Sequence, residues 1–201
     1  MVCLVTDRRR ADVLAQARAA VAAGIDLIQI RERDLDARAL AALAAAVAGI
    51  ASGSRTRVVV NDRLDVALTA NAHGVHLRGD SFAVADARRI APPAFLIGRS
   101  VHSRSDAVAA QGADYVIAGT VFPTASKSES VSWLGVEGLQ ALVAASSAPV
   151  LAIGGITIDR LADVKAAGAA GFAAIGLFHD VPMAEIVAAS RALFDSPQAH
   201  P

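Results

Sequence analysis

The sequence predicts a single domain of the α/β class, a (β/α)8 TIM barrel of the phosphate-binding type over residues 1–201. Short β-branched runs alternate regularly with Ala-rich segments of helical periodicity, and eight such pairs can be counted, the number that closes a parallel barrel. Gly154-Gly155 follows the seventh run, where barrels of this type build half of a phosphate site, and Gly176 follows the eighth. The first run instead enters Thr6-Asp7-Arg8-Arg9-Arg10 with no glycine, against an open doubly wound sheet, which needs a Gly-rich turn there.

The strands expected in order are Val2–Val5, Asp26–Ile30, Arg57–Val60, Gly74–Leu77, Phe95–Gly98, Asp114–Ile117, Val150–Ile153 and Gly171–Ile175. Most are short and apolar, as strands covered on both faces must be. The helices expected are Asp12–Ala23, Asp36–Ala51, Leu64–Ala70, Ala83–Ile90, Arg104–Gln111, Gly135–Ala145, Asp159–Ala167 and Met183–Phe194. Ser103 suits the cap of the fifth helix, and Thr157 or Asp159 that of the seventh.

Composition narrows the function classes. A chain 54% hydrophobic and 19% charged can bury one sizeable core, and no linker or low-complexity tract divides it. Zero net charge and 4% aromatic residues argue against a nucleic-acid face or an anionic membrane surface, so any anion site must be local. Cys3 is the sole cysteine, which excludes internal disulfides and cysteine-based zinc clusters and suits a buried structural thiol. The charged Asp7–Arg10 segment follows too few apolar residues for a signal peptide, and the apolar run from Ala39 to Ala51 is too short for a membrane span. The expectation is a cytoplasmic protein, with the oligomeric state, monomer or homo-oligomer, left open.

Barrel chemistry collects at the C-terminal strand ends. After the second strand, period-two alternation turns Gln29, Arg31 and Arg33 to one side and Ile30 and Glu32 to the other. Two guanidiniums on one side repel unless an anion lies between them, or unless Glu32 or Asp34 pairs with them. Asp62 after the third strand and Asp80 after the fourth could jointly hold Mg²⁺, although Asp62 could also cap the following helix. His76 ends the fourth strand, and Ser100 after the fifth can reach an oxyanion. The longest loop, between the sixth strand and Gly135, carries the hydroxyls of Thr124 and Ser126 and the charge of Lys127. Gly155 and Gly176 leave backbone amides open to a phosphate.

Taken together, Q-I-R-E-R at Gln29–Arg33, N-D-R at Asn61–Arg63, G-V-H-L at Gly74–Leu77, F-P-T-A-S-K at Phe122–Lys127 and A-I-G-G-I at Ala152–Ile156 resemble the thiamine phosphate synthase family, which includes the TenI branch of thiazole tautomerases. The resemblance implies a thiamin-biosynthesis enzyme that joins hydroxymethylpyrimidine diphosphate to thiazole phosphate and releases pyrophosphate. It further implies that Gln29, Arg31 and Arg33 with Asn61 hold the pyrimidine diphosphate, and that Asp62 is one Mg²⁺ ligand. Ser100 and Lys127 would bind the departing pyrophosphate, so that Arg31, Ser100 and Lys127 form the catalytic set. Thr124, Ser126, Gly155, Ile175 and Gly176 would receive the thiazole phosphate.

Three positions depart from the family pattern. Arg33 stands where the synthases have lysine, Ser81 stands at the second metal aspartate with Asp80 one residue early, and Thr120 stands at the TenI catalytic histidine. Alternatives are therefore a TenI-type tautomerase, with His76 or His102 as its base, and a non-catalytic binder of thiazole phosphate or thiamin phosphate.

Overall fold

In the computed structural model, which describes residues 1–124 and 133–195, eight parallel strands close into a barrel in sequence order. The first half runs β1 (Val2–Val5), α1 (Val13–Ala23), β2 (Leu27–Ile30), α2 (Ala37–Ala51), β3 (Arg57–Asn61), α3 (Leu64–Thr69), β4 (Gly74–Leu77) and α4 (Val84–Ile90). The second half runs β5 (Leu96–Val101), α5 (Arg104–Ala109), β6 (Tyr115–Gly119), α6 (Gly135–Ala145), β7 (Val150–Ile153), α7 (Leu161–Ala166), β8 (Gly171–Ala174), α8 (Leu177–Asp180) and α9 (Met183–Phe194).

The strand pleat sorts side chains into two cores. Cys3, Val5, Leu27, Val59, Tyr115, Ile117, Leu151 and Ala173 pack inside the barrel. Their neighbours in sequence, such as Leu4, Ile28, Val60 and Phe172, pack outward against the helices. Cys3 is fully buried and its thiol is pushed up by that burial, as a structural cysteine requires. Asp12, Asp36 and Ser103 cap α1, α2 and α5 through their side-chain oxygens.

Where the elements differ from expectation, the reasons are local. β5 continues to Val101 because Gly98 is not a breaker: a Cβ there would lie 2.2 Å from Tyr115 Cζ, so the strand needs glycine in its interior. The segment before α7 opens as a 3-10 turn over Ile158–Arg160, and neither Thr157 nor Asp159 caps it through a side chain. α8 went unpredicted because four residues are too few to show periodicity.

The N-terminal face of the barrel is tied together by Asp26. Its carboxylate accepts from the Val2 amide at 2.7 Å, from Arg55 at 2.8 Å and from Arg191 of α9 at 2.6 Å. Burial alone would raise this carboxyl, but the hydrogen bonds from Arg191, Val2 and Arg55 outweigh burial and hold it below its ordinary value of 3.8. A depressed carboxylate contributes stability that is present above its unfolded value and is lost as pH falls through the folded one. Asp26→Asn should therefore cost about 1–3 kcal/mol at pH 7, read from urea midpoints, and the gap from the native chain should close below about pH 4.

Candidate active site

A cavity of about 1050 Å³ opens at the C-terminal end of the barrel. Its floor is polar because the inward-facing positions at the upper ends of four successive strands hold Gln29, Asn61, His76 and Ser100. Gln29 Nε2 donates to Asn61 Oδ1 at 3.1 Å, which fixes both amides. Gln29 Oε1, buried and without a donor among the described residues, is left as an open acceptor. His76 bonds Ser100 Oγ through Nε2 at 2.9 Å and the Tyr115 hydroxyl through Nδ1 at 3.2 Å. Burial pushes the imidazole down to about 3, so His76 is neutral across the physiological range.

Above that floor, Arg31 and Arg33 continue the alternation and line the cavity, while Glu32 turns away. Glu32 accepts from Thr6 Oγ1 at 2.6 Å and from the Arg8 amide, and Asp34 pairs with Arg8 and Arg9. Both acids that could have neutralised the arginines are thus spent elsewhere. Among the described residues neither Arg31 nor Arg33 has a carboxylate partner, and burial together with the Arg33 charge pushes Arg31 down. Guanidiniums stay protonated regardless, so this wall lacks an anion.

Asp62, with φ of +62°, does not line this cavity but a smaller pocket beside it, shared with Arg33, Asn61 and Arg78. It does not cap α3, which begins with Arg63 at the cap position. The Asp62 carboxylate accepts from the Ser81 hydroxyl and from the Arg78 amide at 3.3 Å, with the Arg78 guanidinium 3.8 Å away. The direct Asp62–Asp80 pair expected from sequence is replaced, because Asp80 goes to the Arg78 guanidinium at 2.6 Å. No group of three or more His, Cys, Asp or Glu side chains among the described residues is placed to hold a metal. A carboxylate beside a hydroxyl nevertheless supplies two hard oxygens, a set that suits Mg²⁺ when phosphate oxygens and water complete the shell.

The β7 and β8 loops line the same cavity and form a second candidate anion site. Gly154 and Gly155 have φ of +99° and +63°, a region that favours glycine, and the Gly155 Cβ would stand 2.4 Å from the Pro123 carbonyl. Packing therefore demands both glycines whatever binds there. Among the described residues, no group accepts from the amides of Gly155 or Gly176, and both line the cavity beside Ile175 and the start of α8. That pairing of the strand-seven and strand-eight loops with a short extra helix is the usual phosphate site of such barrels. Thr124 lines the cavity nearby, whereas Ser126 and Lys127 lie outside the described residues.

A family model described as thiamine monophosphate synthase matches residues 2–178. The chain belongs to this family. Among relatives, the thiamine-phosphate synthase of Methanoculleus marisnigri is 46% identical over 181 residues, covering 89% of this chain and 85% of the relative. That of Methanoregula boonei is 44% identical over 88% of this chain and 82% of its own length. A solved thiamine phosphate pyrophosphorylase from Pyrococcus furiosus superposes with a TM-score of 0.84 at 31% identity, covering 96% of this chain and 95% of that one.

Several residues of this thiamine monophosphate synthase family member are not found by reading the sequence. Arg99 donates to the carbonyls of Phe82 at 2.7 Å and Gly79 at 2.9 Å, which pins the loop that sets Ser81 against Asp62. Arg160 donates to the Gly155 carbonyl at 2.6 Å with its guanidinium 4.8 Å over the Phe122 ring, tying the β7 loop to the loop after β6. Arg10 reaches the Gly176 side of the cavity from the β1 loop. Each acts through a backbone carbonyl or a neighbouring loop, for which linear spacing gives no signal. Gly155→Ala should destabilise the fold by about 1–3 kcal/mol through overpacking. Gly176→Ala, whose Cβ meets nothing closer than 3.8 Å, should stay within about 0.5 kcal/mol of the native chain in urea unfolding.

Proposed function

We propose that this chain is a thiamine-phosphate synthase, a transferase that joins hydroxymethylpyrimidine diphosphate to thiazole phosphate. The observation that carries the reading is one cavity lined both by the guanidiniums of Arg31 and Arg33, which have no ion-pair partner among the described residues, and by the open amides of Gly155 and Gly176. A diphosphate and a monophosphate held at these two sites of one cavity would bring their reacting ends together over the polar floor.

In this reading the diphosphate lies against Arg31, Arg33 and Asn61, with the Ser100 hydroxyl beneath it. Gln29 Oε1, the open acceptor, takes an N–H from the pyrimidine ring system. The thiazole phosphate sits on the Gly155 and Gly176 amides beside Ile175, with Thr124, Ser126 and the flanking Arg10 and Arg160. The bond from the pyrimidine methylene carbon to the diphosphate oxygen breaks, that oxygen keeps the electron pair, and the thiazole nitrogen forms the new bond to carbon. Negative charge grows on the departing pyrophosphate, where Arg31, Ser100 and Lys127 would stabilise it. Asp62 and the Ser81 oxygen would hold Mg²⁺, with Asp80 at the rim, and the bound ion would lend positive charge to the pyrophosphate oxygens.

The reading is tested by mixing the protein with both substrates and Mg²⁺ and following the products. Thiamin phosphate and pyrophosphate should appear in equal amounts; absence of both would sink the assignment. Arg31→Ala should slow turnover by about 100-fold or more, and Asp62→Ala should raise the Mg²⁺ concentration needed for half-maximal rate.

A further inference from the structure

Beneath Ser100, the floor continues as a chain of three polar groups whose donors and acceptors can be counted. Tyr115 and His76 are each 2% exposed, their rings stack at 5.6 Å, and His76 bridges Tyr115 to Ser100. The Tyr115 phenol keeps its proton, since burial pushes it well above its ordinary value. That O–H needs an acceptor, and among the described residues the only group within reach is His76 Nδ1. A neutral imidazole with Nδ1 accepting carries its hydrogen on Nε2. Nε2–H then donates to Ser100 Oγ at 2.9 Å. With Oγ accepting from below, the Ser100 hydroxyl hydrogen has no described acceptor in the protein and is left for the cavity.

We propose that Tyr115 and His76 are positioning residues that lock Ser100 as a hydrogen-bond donor toward a phosphoryl oxygen in the cavity. The ligand end of this proposal rests on the synthase reading; the tautomer end belongs to the ligand-free protein. The opposite tautomer would leave the buried phenol hydrogen without a partner and turn the Ser100 hydroxyl down onto Nε2. Only oxygen lone pairs would then face the anion, and these repel it. Gly98 leaves room for the arrangement, because a Cβ there would stand 2.5 Å from the Tyr115 hydroxyl and 2.6 Å from His76 Nδ1.

The test uses the full chain, uniformly ¹⁵N-labelled, with long-range imidazole NMR correlations and inorganic pyrophosphate as the probe. In the native protein at pH 7, His76 should be the Nε2–H tautomer; finding the Nδ1–H form overturns the proposal without any ligand. Tyr115→Phe keeps the ring and deletes only the hydroxyl. It should release the His76 tautomer to a mixture and weaken pyrophosphate binding by the inverse of the remaining Nε2–H fraction, about twofold for an even mixture. Native tautomer and native affinity in a folded Tyr115→Phe variant would reject the positioning role. Pyrophosphate failing to bind the native protein, with the Nε2–H tautomer present, would instead reject the diphosphate reading and the ligand end with it. Should Tyr115→Phe fold poorly, Ser100→Ala supplies the second arm: affinity for pyrophosphate should fall while the His76 tautomer stays Nε2–H, and unchanged affinity overturns the proposal.

Discussion

A closed barrel of eight strands has room for few large side chains in its interior, and here the middle of that interior is filled by Tyr115. Its ring lies where the side chain of residue 98 would otherwise be, at 2.2 Å from an added Cβ. With that space granted, His76 can stack on the phenol and reach up to Ser100. The polar floor therefore rests on a packing fact. Isolated polar groups at that depth would carry a desolvation cost, but a connected series satisfies each from the next and presents its unpaired end to the opening.

The walls follow from the pleat. Alternation along the chain after β2 sends cations one way and anions the other, so a protein of zero net charge carries a local positive field. Glu32 is consumed by Thr6 and the Arg8 amide, and Asp34 by Arg8 and Arg9, so neither collapses onto Arg31. At the fourth strand the same logic is less complete. Arg78 is shared between Asp62 and Asp80, so that corner is closer to neutral and serves a ligand that brings its own charge.

Much of this was legible in the sequence because it depends on periods. Eight βα units gave the barrel, and the inward set Gln29, Arg31 and Arg33 followed from period two. The glycines after β7 and β8 followed from where such folds bind phosphate. What stayed hidden depends on particular side-chain contacts rather than on periods. Gly98 looked like the end of a strand because its role is set by Tyr115, and the cap reading of Asp62 stayed open because Ser81 and Arg78 arrive from another loop. The Asp80–Arg78 pair was not anticipated, because the reach of the Arg78 side chain cannot be read from spacing. Arg99 and Arg160 bond to carbonyls, and carbonyls leave no trace in a sequence.

The Asp26 network lies on the face of the barrel opposite the cavity, joining the starts of β1 and β2 to α9. Substrate groups and structural ties are thereby kept a full strand length apart. Substitutions in the upper loops can be sampled for altered ligand preference while this lower network holds the scaffold's margin. A library built on those loops should tolerate more simultaneous changes when Asp26, Arg55 and Arg191 are left untouched.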